Sequence, residues 1–300
     1  MPDPINTEAE MLDYRPSLTS RAAAIAKAGE TVELTEGVGL FSATSTSSPL
    51  ALFLDPVAII VFQGEMEVTI GSAILTYRPG QSFVGSIAMP VTGRLTQATT
   101  AEPYLAISLS LARETLADLL AEAPQVMAQQ GKCYALGPVP EGIPEACDRL
   151  LSLQSDDDRT ILGPMIRREI LWRLLRGPQA PALHQIVAAD PRLAQVRRAL
   201  GWIREHLSET VPIRDMASCA GMSEASFRRH FKAATGMSPL TYQKTLRLQA
   251  ARRAILGGTE IARAGFDVGY VSPSQFSREY ARLFGLPPSR DRAQVLAGQA

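Results

Sequence analysis

Histidine and cysteine are scarce in this chain of 300 residues: three of each occur, His184, His206 and His230, and Cys133, Cys147 and Cys219. The cysteines have no short paired spacing and no histidine close enough in sequence to suggest a zinc motif. That usage fits a reducing compartment. No stretch approaches 18 consecutive apolar residues, and Met1 to Glu10 lacks the basic and apolar blocks of an export signal. A cytoplasmic protein without a membrane anchor is expected.

Net charge is also missing, with 30 basic residues against 30 acidic ones. Taken whole, that balance argues against a nucleic-acid partner. Divided, it does not. Residues 1–189 hold 13 Lys+Arg and 21 Asp+Glu, a net of −8, whereas residues 190–300 hold 17 and 9, a net of +8. With 46% hydrophobic and 20% charged residues, the chain has material for two globular domains, one acidic and one basic.

From about Thr31 to Ser110, short β-branched and apolar runs are broken by glycine or proline, which predicts strands and a small sandwich or barrel. Strands are read at 57–62, 65–70, 73–77, 83–89 and 104–109. Phe62, Phe83 and Met89 are candidates to line a pocket inside it, and core packing explains them equally well. A helix capped by Ser110 is expected to run to the breaker Pro124. A second, beginning after Asp158, carries Leu162, Met165, Ile166, Ile170 and Leu174 at helical spacing and ends at Gly177-Pro178. So apolar a helix must bury more than one side, against the barrel or against a second subunit.

Prolines without periodicity between Gly177 and Asp190 read as a linker. The expected division is a first domain over 1–180, with its barrel at about 25–110 and helices at about 111–177, a linker at 181–189, and a basic second domain over 190–300.

The basic domain reads as helical throughout. Asp190-Pro191 is a helix start, Ile213 to Ala220 a short helix, and Gly221-Met222-Ser223 a turn leading into Glu224-Ala-Ser-Phe-Arg-Arg-His-Phe-Lys232. Two short helices joined at a glycine, the second of them basic, satisfy a helix-turn-helix. The pattern recurs: Phe227, Phe231, Gly236 and Pro239 match Phe276, Tyr280, Gly285 and Pro288 at a constant offset of 49 residues. Between the copies, Ser238-Pro239 starts a helix to about Leu256, a rod that can hold two recognition helices about one turn of DNA apart.

Gly221-Met-Ser, Phe227, Phe231-Lys232 and Gly236-Met-Ser-Pro239, followed by Gly269-Tyr, Ser272-Pro-Ser-Gln-Phe-Ser-Arg278 and Phe284-Gly-Leu-Pro-Pro288, resemble the AraC/XylS family over about residues 190–292. The resemblance implies that Ala225, Arg228 and Arg229 in the first copy, and Ser274, Gln275 and Arg278 in the second, face DNA bases; Lys232, on the same basic helix, is expected to bind DNA without regard to sequence. Arginine can read guanine and glutamine adenine through two bonds each, whereas Ala225 can meet only a thymine methyl. Gly265 departs from good helix chemistry, since alanine there would be about 1 kcal/mol better. The strand region resembles the cupin-like effector domain of the same family over about residues 25–180, through Phe83-Val-Gly-Ser-Ile-Ala-Met-Pro-Val-Thr-Gly93. It implies a small-molecule effector in the barrel.

The fold class expected is therefore multidomain α+β, a cupin-like β-barrel with flanking helices followed by an all-α double helix-turn-helix domain. The function expected is a bacterial DNA-binding transcription regulator and not an enzyme. Double-stranded DNA, an effector, RNA polymerase and a second copy of the chain are the partners considered. The rival is a small-molecule enzyme with an accessory nucleic-acid-binding tail. All three histidines lie outside the barrel, so a histidine-built metal site there is not expected, and no cofactor is implied. Cys133 and Cys147 read as buried thiols or as sensors of an oxidant.

Overall fold

Alternating apolar runs and glycine turns give the N-terminal unit its strands. The computed structural model describes residues 15–122, 133–188, 190–209 and 211–297. Among these, ten antiparallel strands build the unit: β1 (Thr31–Thr35), β2 (Val38–Ala43), β3 (Leu50–Leu54), β4 (Val57–Gln63), β5 (Glu65–Ile70), β6 (Ala73–Tyr77), β7 (Gln81–Gly85), β8 (Met89–Gln97), β9 (Tyr104–Ser110) and β10 (Tyr134–Pro138). They form a six-stranded sheet in the order β1-β2-β9-β4-β7-β10 and a four-stranded sheet in the order β3-β8-β5-β6. The cupin-like unit is thus a pair of sheets, and no ladder among the described residues closes them into the barrel expected. The chain changes sheet in a bend instead: Gly64, at φ 77°, is the one residue between β4 and β5, and a Cβ there would lie 2.8 Å from the Tyr104 Cα.

The inner faces of both sheets share one apolar core, including Val61, Met66, Val68, Tyr77, Phe83, Val91 and Tyr104. The outer face of the six-stranded sheet, with Leu40, Ala58, Ile60, Leu105, Ile107 and Leu109 on it, carries a second core. Five of the described helices cover that face: α1 (Arg15–Ile25), α2 (Arg113–Glu122), α3 (Ile143–Leu151), α4 (Asp156–Arg176) and α5 (Ala180–Val187).

Several boundaries differ from the sequence reading. Ser110 ends β9 rather than capping α2, which starts at Arg113, and Pro124 lies outside the described residues. α4 starts earlier than expected because Ser155 accepts a hydrogen bond from the Asp158 amide at 3.0 Å. Its second half buries Ile170, Leu171, Leu174 and Leu175, but Leu162 and Met165, expected inside, are exposed. The expected linker is largely helix α5, which buries Ala182, Leu183 and Ile186 in the outer core. Proline at the first turn starts that helix rather than breaking it.

The C-terminal unit follows the sequence reading closely: α6 (Pro191–Glu205), α7 (Ile213–Ala220), α8 (Glu224–Thr235), α9 (Pro239–Leu256), α10 (Ile261–Asp267) and α11 (Pro273–Phe284), with α12 (Pro288–Ala297) added. The first helix-turn-helix packs Leu193, Val196, Met216, Phe227 and Phe231 into a cluster continuous with the inter-sheet core. The second has its own core of Leu248, Ile255, Ala264, Phe276, Tyr280 and Phe284. Helix α9 docks on the four-stranded sheet through backbone acceptors. The buried Gln249 amide donates to the Leu52 carbonyl at 3.0 Å and the Val91 carbonyl at 2.8 Å, and the Tyr242 hydroxyl donates to the Ala88 carbonyl at 3.2 Å.

Candidate nucleic-acid interface

The two copies set their recognition helices by the same local devices. Ser223 accepts from the Ser226 amide at 3.4 Å to open α8, and Ser272 accepts from the Gln275 amide at 3.3 Å to open α11. Each hydroxyl satisfies an amide that helix geometry leaves without a partner. The glycines that close these helices, Gly236 at φ 72° and Gly285 at φ 79°, take the left-handed conformation that ends a helix cleanly. Helix α10 is opened by Glu260, whose carboxylate accepts from the Ala262 and Arg263 amides at 3.1 and 2.9 Å. Those two backbone bonds hold its carboxyl below the usual carboxylate range.

On α8, Phe227 and Phe231 turn inward and pack edge to face with centroids 5.3 Å apart. The geometry of a helix then sends Ala225, Arg228, Arg229 and Lys232 to the surface, where all four are exposed. On α11, Phe276 and Tyr280 are buried, while Ser274, Gln275 and Arg278 are exposed. The structure therefore brings the sequence-derived residues together as two surface groups, one on each recognition helix.

The groups differ in their surroundings. Among the described residues, Arg228 has only Glu224 as an ion-pair partner, at 3.7 Å and one turn back. Burial together with Arg192 and Arg229 holds the His230 imidazole below its ordinary range, although Asp190 opposes them. The first face is thus basic, with a neutral imidazole at its edge. In the second copy, Glu279 lies one turn beyond Gln275. It accepts from the Tyr270 hydroxyl at 2.8 Å, from the Gln275 amide at 3.5 Å and pairs with Lys244 at 3.4 Å. Burial pushes the Glu279 carboxyl up, but these donors outweigh it and hold it below the carboxylate range. Sequence reading missed Glu279; its spacing of four from Gln275 was the available signal.

The effector candidates separate. Phe83 and Met89 lie in the inter-sheet core, 1% and 0% exposed, whereas Phe62 points through the six-stranded sheet into the outer core. Phe62 cannot share a pocket with the other two, because successive residues of β4 face opposite sides of the sheet. Tyr77 was not anticipated. Its ring stacks on Phe83 at 5.0 Å, and its fully buried hydroxyl has no hydrogen-bond partner among the described residues.

Cys147 is fully buried, and burial raises its thiol well above the ordinary range, which is the environment of an unreactive structural cysteine. Among the described residues, no helix is long and apolar enough to cross a membrane.

Comparison with known proteins bears on both units. Residues 35–182 match the family described as the AraC-type transcriptional regulator N-terminus, and residues 216–294 match the helix-turn-helix domain family. A probable thc operon regulatory protein of Rhodococcus erythropolis is 29% identical over 158 residues, covering 48% of this chain and 47% of that protein. A putative AraC-like transcription regulator of Streptomyces lividans is 32% identical over 125 residues, covering 41% of this chain and 40% of that protein. The matched stretches thus span less than half of these curated relatives. Among solved structures, an apo form of a ToxT variant from Vibrio cholerae has a similar fold over 85% of this chain and 97% of its own, with a TM-score of 0.56 at 9% identity.

Proposed function

The chain belongs to the AraC/XylS family of transcription regulators, and from that premise we propose that it binds double-stranded DNA through α8 and α11 and regulates transcription from the bound site. One observation carries this reading. Seven side chains picked out by the family resemblance, Ala225, Arg228, Arg229, Lys232, Ser274, Gln275 and Arg278, are all exposed on two helices that are capped alike and related by the 49-residue repeat. Arg228, Arg229, Gln275 and Arg278 supply the donors that base edges accept, and Lys232 supplies a point charge for phosphate. The experiment is binding of the full chain to duplex DNA over a range of salt concentrations. Affinity is expected to fall steeply as salt rises, because each neutralised phosphate releases counterions. Absent or salt-insensitive binding overturns the reading.

The N-terminal unit is proposed to sense a small molecule between its sheets, where Phe83 and Met89 provide apolar surface and Tyr77 an unused hydroxyl. A buried hydroxyl without a partner costs about 1–3 kcal/mol, so a ligand offering an acceptor gains there what the protein leaves unmade. Self-association is supported by one surface: Ile161 and Met165 on α4 are 65% and 64% exposed and lie one turn apart. A second copy laid against them would cover that stripe.

A further inference from the structure

A cleft of about 650 Å³ separates the outer face of the four-stranded sheet from α9 and α11. One wall presents Thr69 on β5 and Thr92 on β8, which stand opposite each other in register, with Arg94 beyond them. The other presents Lys244 of α9 and Arg282 of α11. None of these groups belongs to the DNA-facing set, and the cleft lies outside the inter-sheet core.

Its charges do not balance. Arg94 pairs with Glu67 at 3.2 Å and Lys244 with Glu279 at 3.4 Å, but Arg282 has no ion-pair partner among the described residues. Glu279 is further occupied by the Tyr270 hydroxyl, which leaves Arg282 as a surplus cation on the wall. Across from it, the Thr69 and Thr92 hydroxyls form no hydrogen bond among the described residues. A cleft with a surplus cation, two more cations holding spare N–H donors and a pair of free hydroxyls complements an oxyanion that carries hydroxyl groups of its own.

We propose that this cleft is a second ligand site, for a small hydroxylated anion bearing a carboxylate or phosphate, held between Thr69, Thr92 and Arg94 on one side and Lys244 and Arg282 on the other. Such a ligand ties the N-terminal sheet to the second helix-turn-helix. The first is already continuous with the inter-sheet core, whereas the second keeps a separate one. The connection reaches the DNA-facing surface directly. Gln275, Glu279 and Arg282 follow one stripe of α11, so the helix whose first turns face DNA walls the cleft with its last turns.

The test is calorimetric titration of the full chain with gluconate, glucose 6-phosphate and glucose. One or both anions bind and glucose does not; which anion binds separates carboxylate from phosphate recognition. Arg282→Gln and Arg94→Gln each weaken that binding on the order of tenfold, the scale of one lost charge-assisted hydrogen bond. Arg282 and Arg94 are exposed, so both variants fold, which circular dichroism checks. Binding of neither anion, equal binding of glucose, or anion binding unaltered in both variants overturns the proposal. Duplex DNA binding without added anion is measured beside it. If that fails while the anions bind, the DNA-binding reading falls and the cleft assignment stands.

Discussion

The Tyr280 hydroxyl donates to Asp291 Oδ2 at 2.6 Å, and this pair stands 49 residues beyond Phe231 and Tyr242, which meet edge to face at 5.4 Å. One contact between a recognition helix and the helix after it is therefore aromatic in the first copy and polar in the second. The polar version is completed by Arg252, which grips Asp291 through two bonds of 2.7 and 2.9 Å, with all three side chains buried. Removing Asp291 leaves a buried guanidinium without its counter-charge. Asp291→Ala is expected to cost about 3–5 kcal/mol. Hydrogen exchange locates the damage: amides of α11 lose protection while those of α8 keep it. Equal loss in both helices would contradict the separateness of the two cores.

Gly265 sits in α10 for a packing reason. A Cβ there would lie 3.1 Å from two atoms of the Phe276 ring, and that ring is fixed in the core beneath the recognition helix. The alanine that helix propensity favours is therefore expected to destabilise this half, because the buried Phe276 ring must shift by a few tenths of an ångström to admit it. Gly201, exposed in α6 with nothing within 4 Å of its Cβ position, provides the control. Gly201→Ala should stabilise the chain by about 0.5–1 kcal/mol, and urea unfolding of both variants should give shifts of opposite sign.

These two sites also mark what can be read from sequence. The double helix-turn-helix was legible because its signals are local: Ser223, Ser272, Gly236 and Gly285 act on their own helices, and the inward aromatics keep helical spacing. The side to which Phe62 turns was not legible. β4 is apolar on both faces because it lies between two cores, and an unbroken apolar run carries no alternation to orient it. The edge strand β10, short and ending in Gly137-Pro138, offered no pattern either. The docking of α9 depends on Gln249 meeting carbonyls of Leu52 and Val91, 197 and 158 residues away, a relationship that no local reading contains.

Arg278 and Lys232 are expected to fail differently. Arg278 is exposed on the second turn of α11, without an ion pair among the described residues, so its donors are free for a base. Arg278→Ala should cost about 1–3 kcal/mol on the preferred site and relax preference at one base pair. Lys232, at the last turn of α8, should weaken all sequences alike when changed to alanine and lower the salt slope by about 1. Competition binding against single-base variants of the preferred site separates the two; equal effects on every variant would remove Arg278 from base reading.

The thiols should differ as well. Cys133 and Cys147 are buried, and Cys219 in α7 is partly exposed. Iodoacetamide should modify Cys219 in the folded chain and reach the others only after unfolding, as mass spectrometry of the alkylated protein would record. Rapid modification of Cys133 in the native state would restore it as a sensor.

His184 makes the N-terminal unit sensitive to acid. Its ring is 4% exposed in α5, and Nε2 has no hydrogen-bond partner among the described residues. Burial holds its imidazole below the ordinary value, so the folded chain keeps it neutral at a pH where the unfolded chain binds a proton. Above about pH 6.5 both states are neutral and the group is silent. As the pH falls below that, the unfolded state gains the proton first, and stability drops by up to about 1.4 kcal/mol per pH unit until the folded-state value is reached. His184→Gln removes this term. Urea unfolding at about pH 7.5 and about pH 5.5 should therefore show a larger loss for the wild type than for the variant, and equal losses would mean that His184 accepts its proton inside the folded chain without cost.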